Sequence, residues 1–339
     1  MFGNTCAREL VEVVQSPDLM KSGWWAVVQT FEGEFFGFRF KDVQTNVDDW
    51  FGQGDSDFSI PTDKWESSLS KSEYMAGVER IREHIASGWV YQANFCRVLT
   101  ATTNQELNVR GLLRRIENQN PAPFACGVFI HREESGLQHD VRLVSASPEL
   151  FIRRKGRFIQ SSPIKGTAKH ETELLDKDSS ENVMIVDLIR NDLSHVCRPG
   201  TVAVPDLLRV EHHPGLTHLV SDVTGELRDN VTWTEIFDAT MPPGSVSGAP
   251  KSSALRVIDE LEPVAREIYC GTVGWIDLDN EQAELAVGIR TFWQALDGTK
   301  SIKFGTGAGI TYASDPEGEW FETELKAEHL LRVAATSDH

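Results

Sequence analysis

The sequence predicts an α+β fold in which mostly antiparallel sheets and helices pack as the layers of one large sandwich. Strand-like stretches follow one another without intervening helices at 90–99, 124–131, 141–154 and 157–164. The clearest helical pattern, at 171–195, comes after them as a separate block. Because successive parallel strands need a long crossover, usually a helix, this order favours antiparallel sheets over a doubly wound sheet.

The N-terminal part contains two strand-like stretches followed by a polar loop. WWAVVQTF at 24–31 and EFFGFRF at 34–40 are separated by a Glu-Gly dipeptide, which predicts two strands joined by a turn. The stretch 46–65 is polar, contains glycine and proline, and predicts a linking loop. We therefore predict a short β-rich segment over 1–68 that packs on a larger domain over 69–339.

A helix and a run of strands follow. The apolar residues of 72–87 recur at helical spacing and predict a helix that ends at Gly88. Within the strand run, Lys155-Gly156 predicts a hairpin turn between 141–154 and 157–164. This hairpin sets the expected register of the residues around it.

The second half of the chain mixes helices and strands. The stretch 171–195 has an apolar stripe and stops before Pro199-Gly200, and it gives the longest helical signal in the sequence. The remaining predicted elements are helices at 232–239 and 252–261, strands at 270–277 and 284–294, the run KFGTGAGITYA and a C-terminal helix.

Charge and cysteine content limit the classes of function. The formal net charge of −18 over 339 residues argues against nucleic acid or an anionic membrane surface as a general partner. The five cysteines are scattered without a CxxC pair, as is typical of reduced thiols in a cytosol. The sequence has no signal-peptide pattern and no apolar stretch of membrane-spanning length. We therefore expect a soluble, cytoplasmic protein.

Glu149 and Lys165 are single charges within the strand-like strings SPELF and PIKGT. With a turn at 155–156, residue 149 would pair with residue 162, and Lys165 would lie roughly 10 Å further along the strand. Side-chain alternation puts the two on opposite faces unless Pro163 ends the pairing or a bulge resets it. The residues alone leave two interpretations open: exposed strand charges, or an acid and a base that face one substrate.

Four carboxylates form two pairs at helical spacing. Asp178 and Glu181 lie three residues apart in the longest predicted helix, and Glu319 and Glu322 repeat this spacing near the start of the C-terminal helix. Carboxylates from two helices suit a hard cation such as Mg²⁺. Acids at the start of a helix also complement its dipole, so both interpretations remain open.

Two glycine-rich stretches and two polar residues complete the candidates. GTGAGI at 305–310 offers backbone amides to a carboxylate, but its spacing and the strand-like TYA after it do not fit a dinucleotide fingerprint. GSVSGAPKS at 244–252 lacks the ending of a phosphate loop. His218 and Arg290 stand in apolar stretches, where a satisfied core role is typical of such a residue. These residues are compatible with a Mg²⁺-assisted enzyme acting on a small anion, and they do not identify its reaction.

Taken together, the motifs resemble the chorismate-utilising enzyme family over about residues 70–335. The order of the matching strings makes the resemblance specific, although each string alone is weak. They are YQANF, SPELF, PIKGT, ENVMIVDLIRNDL, THLVSDVTGEL, PPGSVSGAPK, GIRT, GAGI and GEWFETELK. Membership implies a large α+β sandwich with the active site between layers, chorismate as substrate, and Mg²⁺.

The resemblance also implies roles for individual residues. Glu149 would be the general acid toward the 4-hydroxyl of chorismate, and Lys165 the nucleophile that attacks C2. Glu181 and Glu322 would hold Mg²⁺, with Asp178 and Glu319 binding its waters. The residues implied in substrate binding are Gly307, Ala308 and Gly309 through their backbone N–H groups, Arg290 and Lys326 by charge, and His218 and Ser247 as pocket lining.

Two positions distinguish the reactions within the family. The PIKGT form resembles component I of aminodeoxychorismate synthase, whereas anthranilate synthases usually carry alanine at the position of Lys165. Isochorismate and salicylate synthases place a water-activating lysine where this chain has Gln92. The resemblance therefore implies amination of chorismate by ammonia from a separate glutamine amidotransferase subunit. The alternatives are an anthranilate synthase-like enzyme that releases pyruvate, or a non-catalytic chorismate-binding relative.

A further position departs from the pattern of several relatives. Trp275 stands in GTVGWI where those relatives have tyrosine. The substitution concerns one contact that the family makes with the substrate carboxylate.

Overall fold

The computed structural model confirms the predicted α+β architecture. Seventeen strands and eight helices are found in the parts of the chain that the structure describes. It describes residues 1–46, 58–168, 176–213 and 216–336, with the backbone but not the side chains of 167–168, 176–180, 212–213 and 216–218.

The strands are short, as is usual in antiparallel sheets, and most carry continuous buried stretches. They are β1 (Cys6–Val14), β2 (Trp24–Gln29), β3 (Phe35–Gln44), β4 (Trp65–Ser67), β5 (Gln92–Ala101), β6 (Phe124–Ile130), β7 (Val141–Ser147), β8 (Leu150–Lys155), β9 (Phe158–Ser162), β10 (Ile164–Ala168), β11 (Ala203–His213), β12 (Leu216–Glu226), β13 (Gly248–Ala249), β14 (Thr272–Asp277), β15 (Gln282–Val287), β16 (Thr291–Gln294) and β17 (Ile302–Ile310).

The helices begin at side-chain caps in several cases. Ser70 and Glu73 form a capping box at the first helix, and Asp315 caps the last one. Among the described helices, none is both long and apolar enough to cross a lipid bilayer. The helices are α1 (Lys71–Ala86), α2 (Val109–Gln119), α3 (Arg132–Ser135), α4 (Asp176–Ser194), α5 (Trp233–Thr240), α6 (Gly244–Ser247), α7 (Lys251–Leu261) and α8 (Pro316–Ala335).

Two antiparallel sheets form the framework. The larger sheet has the strand order β1-β3-β2-β14-β15-β8-β9-β12-β10, with β11 also paired to β12. The smaller sheet has the order β13-β5-β17-β16-β7-β6, with β4 also paired to β5. Strands β1–β3 belong to the larger sheet because β2 pairs with β14. The division of the chain at residue 68 stays a prediction.

The two sheets pack face to face, and helices cover the outer side of the smaller sheet. One core cluster joins Trp25 and Ile152 of the larger sheet to Leu143 and Trp293 of the smaller sheet. A second cluster joins helices α2 and α8 to the other face of the smaller sheet. Alternate residues of one strand therefore enter different cores, as the period of a strand requires.

The structure corrects two predicted strands. The stretches 141–154 and 284–294 are each two strands, and the two halves belong to different sheets. The first stretch breaks at Pro148, which has no N–H to give to a ladder. The second breaks at Gly288, where an added Cβ would meet the backbone oxygen of Ile268 at 2.3 Å. The mostly apolar pattern of each stretch did not distinguish one long strand from two.

These two breaks lie side by side and form one corner, residues 147–150 and 288–291. Strand β7 pairs with β16 before the corner, and β8 pairs with β15 after it, so two neighbouring segments pass from one sheet to the other together. The Ser147 hydroxyl donates to the backbone oxygen of Val287 at 2.7 Å, which ties the two crossing segments to each other. The sheets diverge at this corner, and Glu149 and Arg290 both lie in it.

Candidate active site

Glu149 is buried at the corner, with 4% of its surface exposed. Its backbone oxygen accepts the Val287 N–H at 3.1 Å, so the crossing itself fixes the residue. The carboxyl group accepts hydrogen bonds from the Ser245 hydroxyl and from the Ile164 N–H. Burial raises the pKa of Glu149 to about 7, although these hydrogen bonds and the charge of Lys165 act to lower it. Glu149 therefore holds a proton that it can give up near neutral pH.

Lys165 reaches the same place from another strand. Pro163 separates β9 from β10, and β10 leaves β8 to pair with β12, as Ile164 opposite Val220 shows. The ladder is irregular immediately after Lys165. The Lys165 ammonium donates to the backbone oxygen of Ser245 at 3.1 Å. Of the two conditions under which the residues could meet, the break at Pro163 is present, and a register shift between Leu150 and Arg153 accompanies it. Both charged residues therefore lie outside the β8–β9 ladder.

The hairpin before this break has a different register from the predicted one. Its two-residue turn is Gly156-Arg157 rather than 155–156, and Lys155 pairs with Phe158. Gly156 has φ +58°, the left-handed conformation that glycine adopts most readily at the first turn position. A further irregularity brings Ser162 opposite Leu150, whereas residue 149 was the predicted partner.

Ser245 joins the acid to the base, and the sequence did not single it out. Its hydroxyl contacts Glu149 and its backbone oxygen contacts Lys165. The predicted residue of this loop, Ser247, is fully buried and donates to the backbone oxygen of Pro243 at 3.0 Å. Both serines occur in the string GSVSG, each next to a glycine, so the string alone does not distinguish them.

A small cavity lies against Glu149. Its volume is about 10 Å³, which is enough for about one water molecule. Ser245, Thr240 and Asp192 line it together with Glu149. Asp192 forms an ion pair with Lys251 at 2.7 Å, so the nearest other carboxylate is already held by a cation.

The glycine-rich strand β17 runs beside β5. Gly307 lies opposite Cys96 and Gly309 opposite Asn94, yet the Cys96 N–H and the Asn94 oxygen bond to other side chains. Because the N–H and C=O groups of successive residues in a strand point to alternate edges, those of Gly307 and Gly309 point away from β5. Those of Ala308 point toward β5. In agreement, the Lys326 ammonium binds the Gly307 oxygen at 3.0 Å from the far side. Two of the three predicted N–H donors therefore point away from the ladder.

Carboxylates from two helices flank this strand. Glu181 of α4 and Glu319 of α8 are buried, and the Gln92 amide approaches Glu181 at 3.4 Å. An added Cβ at Gly309 would lie 2.3 Å from the Gln92 nitrogen and 3.5 Å from Glu181, so only glycine leaves this space open. Glu322 binds Lys326 at 2.6 Å.

The oxygen donors fit a hard cation by type. All four predicted ligands are carboxylates, on helices at either side of an open strand, which matches the preference of Mg²⁺. Among the described side chains, no three possible metal ligands lie together, and Glu322 is paired with Lys326. The side chain of Asp178 lies outside the described part of the structure, and its assignment stays a prediction.

Arg290 and His218 are the two remaining polar residues that the sequence singled out. Arg290 occupies the corner with φ +52°, and no described carboxylate forms an ion pair with it. Burial lowers the pKa of its guanidinium. His218 lies in β12 opposite Thr167, with its side chain outside the described set.

Trp275 lies away from these residues. It is in β14 between Ala26 and Glu284, and its ring stacks on Trp24 with a centroid distance of 6.2 Å. Trp275 is therefore part of an aromatic stack in the larger sheet.

Comparison with known proteins relates the chain to a family of enzymes. The family described as chorismate binding enzyme matches residues 53–332. Anthranilate synthase component 1 of Saccharolobus solfataricus is 38% identical over 279 residues, which cover 78% of this chain and 63% of that protein. Aminodeoxychorismate synthase component 1 of Klebsiella aerogenes is 35% identical over 287 residues, which cover 80% and 59%.

A solved structure gives the same fold. Anthranilate synthase component I of Streptococcus pneumoniae superposes with a TM-score of 0.78 at 20% identity, over 97% of this chain and 92% of that one. The curated relatives are longer proteins: the chain matches 63% and 59% of their lengths.

Proposed function

Because the chain belongs to the family of chorismate binding enzymes, we propose that it is component I of an aminodeoxychorismate synthase. It would convert chorismate and ammonia to 4-amino-4-deoxychorismate and water, toward p-aminobenzoate and folate. The observation that carries this proposal is the junction at Ser245, which brings a protonated glutamate and a lysine amine to one point. The curated relatives include enzymes of this name at 34–35% identity.

The proposed reaction uses the two residues in turn. Lys165, once deprotonated, attacks C2 of chorismate, the ring double bond shifts, and the C4–O bond breaks. Glu149 gives its proton to the departing hydroxyl, which leaves as water. Ammonia then forms a bond at C4, the double bond returns, and the bond between C2 and Lys165 breaks. The proton lost by ammonia restores the acid.

Strand β17 and the cationic side chains near it are proposed to bind the substrate carboxylates. The backbone N–H groups of Gly307 and Gly309, with Ala308 between them, would face one carboxylate, and Arg290 and Lys326 would balance its charge. His218 and Ser247 are proposed as pocket lining. Glu181 and Glu322 would hold Mg²⁺ with Glu319 and Asp178 around its waters, and the ion would neutralise the ring carboxylate of the substrate.

A glutamine amidotransferase subunit is the proposed partner. The name "component 1" of the relatives supports a second component, and ammonia must come from a donor. Free ammonium would replace the partner in vitro. Absence of glutamine-dependent activity with a candidate amidotransferase, and no contact in a pull-down, would count against this part.

The experiment is product analysis. The purified chain is incubated with chorismate, Mg²⁺ and ammonium, products are identified by mass spectrometry, and pyruvate is measured by a coupled assay. We expect aminodeoxychorismate without pyruvate, and its loss in Lys165→Ala. Unchanged chorismate with and without an amidotransferase would leave a chorismate-binding relative that has lost turnover.

An anthranilate synthase is the second candidate. It is favoured by the 38% identity to an anthranilate synthase component 1. Anthranilate with an equal amount of pyruvate would establish it and would show that Lys165 does not determine the product.

A further inference from the structure

A buried ion pair lies behind the loop that carries Ser245, and the proposed chemistry does not use it. The guanidinium of Arg266 is 1% exposed and contacts Glu262 through two parallel bonds, at 2.7 and 2.6 Å. A bidentate pair of this kind fixes both distance and orientation. Arg266 also lies over the ring of Phe31, at 4.3 Å from its centroid.

The pair binds three backbone groups of other segments. Arg266 donates to the oxygen of Val246 at 2.8 Å and to that of Asn94 at 2.7 Å, and Glu262 accepts the Cys96 N–H at 2.8 Å. The two carbonyl contacts are buried and the contact between Glu262 and the Cys96 N–H is part-buried, so leaving any of these groups unpaired would be unfavourable. The pair is therefore a connector between segments as well as a local contact.

Its position on β5 shows why a connector is present there. Strand β13 pairs with residues 92–93 of β5, and β4 pairs with residues 99–101, both on the edge away from β17. Asn94 and Cys96 lie in the gap between these two partners. The ion pair supplies the hydrogen bonds that a strand would otherwise supply at this edge.

The connected segments carry the two halves of the site. Val246 follows Ser245, which contacts Glu149 and Lys165. Asn94 and Cys96 lie opposite Gly309 and Gly307, the residues with outward-facing backbone groups. One rigid guanidinium thus spans from the acid and the lysine to the strand proposed to hold the substrate carboxylate.

We propose that Arg266, held by Glu262, is a positioning residue that fixes the distance between Glu149 and Lys165 on one side and the Gly307–Gly309 strand on the other. This role rests on the proposed function, because it concerns the substrate that spans the two halves. Displacement of a substrate by about 1 Å can lower the rate about 100-fold. Loosening the connection should therefore reduce kcat more than it raises KM.

Lysine cannot replace the guanidinium in this role. An ammonium group has no planar fork, so it cannot bond to Glu262 at two points and to two carbonyl groups at once. Arg266→Lys keeps the charge and loses the geometry. The double variant Arg266→Met with Glu262→Gln removes the geometry without leaving a buried unpaired charge, and glutamine still offers an oxygen to the Cys96 N–H.

The experiment measures steady-state kinetics and amide hydrogen exchange on the wild-type chain, Arg266→Lys, the double variant and Lys303→Gln. Lys303 serves as the control, since its part-buried ion pair with Glu267 lies four residues before Gly307 on β17 and bonds to neither the segment 244–248 nor residues 307–309. Thermal unfolding confirms that each variant is folded. We expect Arg266→Lys and the double variant to lose about 10- to 100-fold in kcat with KM changed by less than about threefold. Exchange should rise in 244–249 and 305–310.

The outcomes separate the role of Arg266 from the reaction itself. If the folded double variant keeps the wild-type kcat, or if exchange in 244–249 is unchanged, the positioning role is wrong. If Lys303→Gln also lowers kcat with little change in KM, the effect comes from general loosening of the structure. The positioning role of Arg266 is then also wrong. If the wild-type chain itself does not turn over chorismate, the proposed reaction fails, while the exchange measurement still decides whether Arg266 holds the two segments together.

Discussion

The side chains of two glutamates are buried near the segment 244–248, which contains α6, and their partners differ. Glu262 faces the Arg266 guanidinium at two points, whereas Glu149 has the Ser245 hydroxyl, one backbone N–H and the charge of Lys165. Burial raises the pKa of Glu149 to about 7 because these weaker partners do not balance the loss of water. A carboxylate that is paired directly with a guanidinium thus connects segments of the chain. A buried carboxylate without such a pair stays protonated near neutral pH and can act as an acid.

Replacement of the acid gives the largest expected effect. Glu149→Gln has the same shape and cannot give a proton, so we expect kcat with chorismate and ammonium to fall by about 10²–10⁴. The control is Glu284→Gln on the neighbouring strand β15, where Glu284 pairs with Arg153 near the surface. Equal activities of the two variants would show that Glu149 does not supply the proton.

The same substitution should change stability in a pH-dependent manner. The pKa of Glu149 is about 7 in the folded chain against 4.5 ordinarily. Between these values the folded state binds more protons than the unfolded state, so the free energy of unfolding falls as pH rises, and this loss is complete above about pH 7. Glutamine has no such loss.

The quantity to compare is the free energy of unfolding of Glu149→Gln minus that of the wild type. We expect this difference to favour the variant by roughly 1–3 kcal/mol more at pH 8 than at pH 4.5. Urea unfolding at the two pH values measures this gain. A stability difference that does not depend on pH would mean that Glu149 is ionised at neutral pH in the folded chain.

Gly309 tests whether the two halves of the site act separately. One half is Glu149 with Lys165, and the other is the Gly307–Gly309 strand proposed to bind a substrate carboxylate. An alanine Cβ would press on the Gln92 amide at 2.3 Å, and overpacking of this kind costs about 1–3 kcal/mol. We expect Gly309→Ala to raise KM for chorismate about tenfold or more while the pH dependence of kcat/KM stays as in the wild type. The control is Gly318→Ala in α8, where the added Cβ meets only the Asp315 side chain at 3.3 Å or more. A change in pH dependence would show that the two sides are not separate.

Much of the fold follows from the sequence because local signals are strong. Glycine and proline mark most of the turns, and the break at Pro163 was predictable from its missing N–H. Membership of a sheet was not predictable, since a buried strand shows the same apolar pattern in either sheet. The stretches 141–154 and 284–294 change sheets for this reason without a signal beyond Pro148 and Gly288.

The candidate site was predicted in part. Glu149 and Lys165 stood out as charges in apolar strands, but their meeting depends on Ser245, which is 80 residues from Lys165 in the chain. A backbone carbonyl carries no residue signature, so this contact has no trace in the sequence. The same holds for Arg266, whose partners at Val246 and Asn94 are backbone oxygens.

Ser245 gives the smallest expected effect and the sharpest test of the comparison. A general acid must be protonated, so kcat/KM should fall as pH rises past the pKa of Glu149, near 7. The Ser245 hydroxyl lowers that pKa, and Ser245→Ala should therefore move the falling limb to higher pH, by roughly one unit or less. Ser245→Thr keeps a hydroxyl and should leave the limb in place. If the limb does not move in Ser245→Ala, the group that titrates in the profile is not Glu149, and the proton for the departing hydroxyl comes from elsewhere in the site.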